Sequence, residues 1–152
     1  TERWLAAQGF IGEQRWFGNQ RLVEVRLAAP SAPVKLIPTL RFGDPQTDSR
    51  KIMPITAVGP ITVQWQPAAA LVAITWSAGL DPDLRYSLQV LDSTGALITQ
   101  HDGTPMRAAP YTSRVRVPWP EHDGCRLILK LYRASDGAVL PTAGRAWAEL
   151  GP

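Results

Sequence analysis

The sequence predicts an all-β fold: an antiparallel β-sandwich of jelly-roll or immunoglobulin-like type, with one short N-terminal helix. Three observations carry that prediction. Apolar and polar residues alternate with a period of two in several short runs, as half-buried strands require. Turn residues are frequent and spread along the chain, with 14 Pro and 12 Gly in 152 residues. No amphipathic helical stretch intervenes between the runs, which argues against α/β architecture.

In chain order, Glu2 to Gln8 is the helical candidate. Trp4, Leu5 and Gln8 fall near one face, Ala6 and Ala7 favour helix, and Gly9 supplies a stop. Gly12 to Gln20 reads as a loop carrying the adjacent aromatics Trp16 and Phe17. Arg21 to Leu27 is a strand, and Ala28 to Pro33 has linker composition. The chain therefore divides into a tail, residues 1–33, that docks on a sandwich domain, residues 34–152. It opens on Thr1 rather than Met and reads as a piece of a longer protein.

Strands are expected over Lys35–Phe42, Lys51–Val58, Ile61–Gln66, Leu71–Ser77, Arg85–Leu91, Ala96–His101, Thr112–Pro118, Arg126–Arg133 and Arg145–Leu150. The most legible unit is the hairpin built on Tyr86, Leu88 and Val90, turned by Asp92-Ser93-Thr94-Gly95. Val72, Ile74 and Trp76 form a second inward set, and Leu127, Leu129 and Leu131 a third. Asp102-Gly103 reads as a further turn, with Asp102 accepting from backbone N–H groups of the following loop and Gly103 in a strained conformation.

Composition excludes several functions. Hydrophobic residues make up 45% and charged residues 19%, a globular balance. The net charge of +3 is scattered, with no basic cluster beyond Arg50-Lys51, so no nucleic-acid partner is indicated. Cys125 is the sole cysteine and reads as a buried small hydrophobe, so no intrachain disulfide and no cysteine-built metal centre is expected. Histidines number two, and no G-x-S-x-G elbow accompanies Ser87, Ser93 or Ser113, so neither cofactor nor catalytic triad is expected. Asp81, Asp83, Asp92, Asp102 and Asp136 sit in turns, where carboxylates can gather calcium or simply cap the bend; no EF-hand spacing favours the ion.

Six tryptophans invite a carbohydrate reading, because sugar C–H faces stack on exposed aromatic rings. Trp65, between two glutamines, and Trp119, between two prolines, are the better placed for exposure. The candidate ligand-binding set is His101, Asp102, Tyr111, Arg114, Trp119 and Trp65. Two readings of it stay open: sugar hydroxyls held by His101 and Asp102 beside a Trp119 or Tyr111 platform, or a scaffold turn without ligand.

A wider pattern joins these segments. Trp76 is followed by a Y-x-x-x-V-L strand (Tyr86 to Leu91), a D-x-x-G turn (Asp92 to Gly95), and Gln100-His101-Asp102-Gly103-Thr104-Pro105. Tyr111-Thr112-Ser113-Arg114 and the late strand Leu129-Lys130-Leu131-Tyr132 come next. This order resembles the extracytoplasmic C-terminal β-sandwich of large multi-span bacterial proteins similar to dolichyl-phosphate-mannose-type protein mannosyltransferases. Trp4-Leu5 and Trp16-Phe17-Gly18 resemble the stretch preceding such tails. The likeness covers about two thirds of the chain. It departs where the family carries a tryptophan and a P-G-E turn, since Arg114 runs directly into Val115-Arg116-Val117-Pro118. The resemblance implies an extracytoplasmic, non-catalytic accessory domain of a membrane glycosyltransferase. Its partners would be the parent's membrane domain or loops, and a glycan or polypeptide acceptor. A purely structural or protein-interaction module is the alternative.

Overall fold

The computed structural model describes residues 5, 7–28, 32–43, 55–105, 110–120 and 123–151. Twelve strands are formed among them: β1 (Gly9–Phe17), β2 (Gln20–Leu27), β3 (Val34–Ile37), β4 (Leu40–Phe42), β5 (Thr56–Gln66), β6 (Ala69–Trp76), β7 (Leu84–Leu91), β8 (Leu97–Gly103), β9 (Tyr111–Pro118), β10 (Arg126–Arg133), β11 (Val139–Leu140) and β12 (Ala148–Gly151). The fold is all-β, two sheets packed face to face. The first runs β2-β1-β9-β6-β5-β3, with β4 also on β5; the second runs β11-β10-β7-β8, with β12 also on β10. Pairing is antiparallel except at β1 and β9, which meet in parallel at Ile11 and Val115.

From β5 onward the connectivity is immunoglobulin-like. β5, β6 and β9 form one layer; β7, β10 and β12 form the other. β8 hairpins back on β7 rather than joining the first layer. The three inward sets read from the sequence meet between the layers. Val72, Ile74 and Trp76 face Leu88, Val90, Leu127, Leu129 and Leu131, all with no accessible surface, and Tyr86 is almost fully covered. Cys125 joins this cluster as a small buried hydrophobe. Leu71 and Ile128, whose side chains alternate with the inward sets, are buried as well.

Turn chemistry follows the residues. The Asp92 carboxylate accepts from Thr94 N at 2.8 Å, Ala96 N at 2.9 Å and Thr94 Oγ1 at 2.6 Å, while Gly95 sits at φ +89°. That geometry closes the β7–β8 hairpin as expected. Asp81 accepts from Asp83 N at 2.8 Å and Asp136 from Ala138 N at 3.0 Å.

Several expectations need correction. Gly12 to Gln20 is no loop: Gly9 to Phe17 is a strand, and Gly18-Asn19 turns it into β2. Gly59-Pro60 does not end a strand; it makes a bulge inside β5, where the register shifts between Val58 and Ile61. Pro is tolerated there because a bulged residue owes no ladder bond. Val58 pairs with β4 before the bulge, and the stretch from Ile61 pairs with β3 after it. The expected strand Lys35–Phe42 is correspondingly two strands, parted at Pro38-Thr39. Asp102-Gly103 is no turn, since β8 continues through Gly103. The helix expected over Glu2–Gln8 falls largely outside the described residues, and only Leu5, Ala7 and Gln8 of it are described as helical. The first half of the strand expected over Lys51–Val58 is likewise outside them, and Thr56 to Val58 belong to β5.

The β1–β2 hairpin meets the sandwich edge beside β9. Arg116, on the outer face of β9, reaches back to the hairpin with its Nε 3.5 Å from Glu24 Oε1. Glu24 is shared with Arg26 at 3.3 Å. Gly12 permits the approach: a Cβ there would stand 2.9 Å from the Glu24 carboxylate and 3.2 Å from Arg116 Cδ.

Candidate functional site

The residues with chemical potential divide between the two ends of the sandwich. At one end lie Trp76, Tyr86, Ser113, Tyr111 and His101. Trp76 and Tyr111 are register partners across β6 and β9, as are Ile74 and Ser113. The buried Trp76 indole N–H donates to Ser113 Oγ at 2.8 Å, which satisfies the only polar atom of the largest core side chain. The Trp76 and Tyr86 rings lie 5.1 Å apart at 35°. Tyr86 also hydrogen-bonds Ser113, while burial pushes its phenol pKa up and keeps it neutral.

His101 joins this group from β8. It pairs with Leu88 in the register, so period two turns it inward, and its ring lies 6.2 Å from that of Tyr86. Burial pulls its pKa below the ordinary 6.5, against a smaller opposing pull from the Asp102 carboxylate. The imidazole is therefore neutral at neutral pH. Beside it Gly103 pairs with Tyr86, and a Cβ there would stand 2.4 Å from the Tyr86 ring. Gly103 is needed for the space its missing side chain leaves, and it is absent from the positive-φ glycines.

Asp102 belongs elsewhere. As the next residue on β8 it points outward opposite Ser87, is exposed, and accepts from Gln100 Nε2 at 3.0 Å. The following loop, whose backbone Asp102 is expected to cap, lies mostly outside the described residues. His101 and Asp102 thus occupy opposite faces of one sheet, and cannot close on one ligand together. Arg114 is half-buried on the outer face of the other sheet, opposite Ala73, with the whole sandwich between it and Asp102.

Trp65 and Trp119 close the other end. β9 runs from Tyr111 to Pro118, so Trp119 lies about 25 Å from Tyr111 at strand spacing. The Trp119 backbone N donates to Ala68 O at 3.0 Å, in the β5–β6 turn. Its ring meets Trp65 edge-on at 4.6 Å and 63°. Both rings are half-buried and pack against the core. Gly151 lies under Trp65, where a Cβ would approach the indole to 3.1 Å. The pair caps the hydrophobic interior, as edge-to-face aromatics do.

The structure therefore brings His101 and Tyr111 to one end and Trp65 and Trp119 to the other, and leaves Asp102 and Arg114 on separate outer faces. Asp83, one of the acids weighed for calcium, accepts from Ser135 N at 2.9 Å, from Ser135 Oγ, and from Arg133 Nε at 3.4 Å. The Ser135 contacts hold its carboxyl below the usual range. These donors tie Asp83 to the β10–β11 turn. Among the described residues, no three His, Cys, Asp or Glu side chains converge as metal ligands would.

Sequence reasoning missed the surface at the β1–β2 tip. Trp16, Phe17 and Leu22 are 66%, 62% and 62% exposed, and Arg15, Phe17, Leu22 and Val23 help line an open hollow of about 350 Å³. The adjacent aromatics Trp16-Phe17 are its signal in the sequence.

No family model matches this chain, and no curated protein matches it. Among solved structures, it is similar to the endonuclease/exonuclease/phosphatase from Beutenbergia cavernae, with TM-score 0.44 and 13% identity over 86% of this chain and 30% of that one. The chain thus spans less than a third of that protein's length, and at this similarity nothing about function passes between them.

Proposed function

We propose that this chain is a non-catalytic, extracytoplasmic accessory domain of a multi-span membrane glycosyltransferase-like protein, and that its work is positional. The observation that carries the reading is the ordered set of motifs from Trp76 to Tyr132, together with Trp16-Phe17-Gly18 upstream. The packing supports a passive role. Ser113 is held by Trp76 and Tyr86, Ser87 is buried, and His101 faces the Tyr86 ring, so among the described residues neither of these serines stands before His101 as a base. In this reading the division into a tail, residues 1–33, and a sandwich, residues 34–152, marks where the parent's membrane part gives way to its outer domain.

A second reading, a protein-interaction or purely structural module without glycan, is favoured by one observation. Trp65 and Trp119 spend their rings on each other and on the core, which leaves less face for a sugar. The two readings part in calorimetric titration with mannosides and an oligosaccharide acceptor, run beside a glycosyl-transfer and hydrolysis assay. The accessory reading expects no turnover, and binding that weakens in Trp119→Ala. Saturating sugar without heat or spectral change selects the interaction module. Turnover abolished by His101→Ala overturns both.

A further inference from the structure

The distal half of the β1–β2 hairpin stands clear of the sandwich. Ile11 pairs with β9, whereas every residue from Glu13 to Leu22 is exposed. Within it Trp16 pairs with Arg21, Phe17 with Gln20 and Arg15 with Leu22. Alternation places Trp16 and Arg21 on one face, and Phe17, Leu22 and Arg15 on the other. Each face of the same tip therefore presents one aromatic ring and one arginine. The Arg21 guanidinium lies 5.8 Å from the Trp16 ring centroid, and Arg15 is braced by Glu13 at 2.8 Å and 3.0 Å. Between Arg15 and Glu24 the chain carries no acidic residue. Gly18, at φ +61° with open space around its Cα, makes the turn between the rings.

This distribution decides what covers the tip. A protein groove takes an apolar stripe on one side of an element and leaves the other side polar. Here the apolar rings and the cations encircle the tip, at one height, on both faces. That suits a medium that surrounds the tip, with a zone for amphipathic rings beside a zone of negative phosphates. The interfacial layer of a bilayer is such a medium: tryptophan settles among the headgroups, and arginine is drawn to anionic lipid. The geometry points to a membrane-docking tip, in which Trp16 and Phe17 enter the headgroup region of an anionic bilayer while Arg15 and Arg21 engage lipid phosphates. This goes beyond the accessory role proposed above and stands whether or not the parent is a glycosyltransferase.

Vesicle co-sedimentation of the whole chain tests it, with phosphatidylcholine alone and with phosphatidylcholine mixed with phosphatidylglycerol. Wild type should bind the mixed vesicles, with binding that weakens as salt screens the charges. Trp16→Ala with Phe17→Ala should lose at least about tenfold of that binding. Arg15→Gln with Arg21→Gln should remove the preference for phosphatidylglycerol. Both double variants should keep the wild-type melting temperature, because the altered side chains are exposed. Failure of wild type to bind either vesicle overturns the proposal, as does equal binding by the aromatic double variant. So does a wild-type dimer that ignores vesicles and falls to monomer when Trp16 and Phe17 are removed, which would assign the tip to a second copy of this chain.

Discussion

At the scale of single residues, the end of the sandwich around Tyr86 is where packing leaves least freedom. Gly103 lies beneath a ring that is itself pinned by Ser113 and Trp76. Gly103→Ala therefore pushes against a ring with nowhere to go, and should cost roughly 1–3 kcal/mol by overpacking. Chemical denaturation with an unchanged midpoint would show that Tyr86 swings aside freely. His101 makes stability depend on pH in a defined direction. Its folded pKa is depressed by burial, so below about 6.5 the unfolded chain takes up a proton that the folded chain refuses. Stability is full above that pH and declines as pH falls through it. Asp83 and Asp92 also destabilise on acidification, but only below the ordinary carboxyl value of 3.8, because their pKa values are lowered by Ser135 and Thr94 respectively. The melting temperature should therefore drop in two separate windows, and His101→Gln should flatten the upper one alone. A variant whose upper window is as steep as wild type's would place that titration elsewhere.

At the scale of elements, legibility followed burial. β7, β10 and β6 each turn one face wholly into the core, so the apolar residues of that face recur with period two and the inward sets are legible in the sequence. β1 was read as a loop beyond Gly12 because its distal half is exposed on both faces, and a strand with no buried side has no reason to alternate. Gly59-Pro60 and Asp102-Gly103 carry the residues of turns but serve a bulge and a ring-packing site within strands. The candidate site suffered from the same blindness to register. His101 and Asp102 are neighbours in the chain, yet period two sends them to opposite faces. The Trp76–Ser113 hydrogen bond joins residues 37 apart, through a β6–β9 pairing that no local pattern announces.

At the scale of the whole molecule, the two parts of the chain are held with very different strength. The sandwich is closed by a continuous apolar interior from Phe42 to Leu150, capped at one end by Trp65 and Trp119. Among the described residues, the β1–β2 hairpin adds to it near its base alone, through buried Phe10, one parallel ladder pair, a Gln66 Nε2 donation to Leu27 O at 3.5 Å and the Glu24–Arg116 contact, in which Arg116 Nε is buried 3.5 Å from its carboxylate without a hydrogen bond. An element so attached opens without the rest, since few buried apolar contacts resist it. Native-state hydrogen exchange should therefore show amides from Gln14 to Leu22 exchanging by local opening, well ahead of those in β7 and β10. The latter should exchange only through global unfolding, with Leu88→Ala lowering their protection by roughly 2–5 kcal/mol and leaving the hairpin tip unchanged. Adding vesicles that contain phosphatidylglycerol should slow exchange at the tip alone, because a ligand protects only the opening it suppresses. Equal protection of tip and core without lipid would mean that the hairpin belongs to the cooperative unit, and that the single ladder pair at Ile11 understates its attachment.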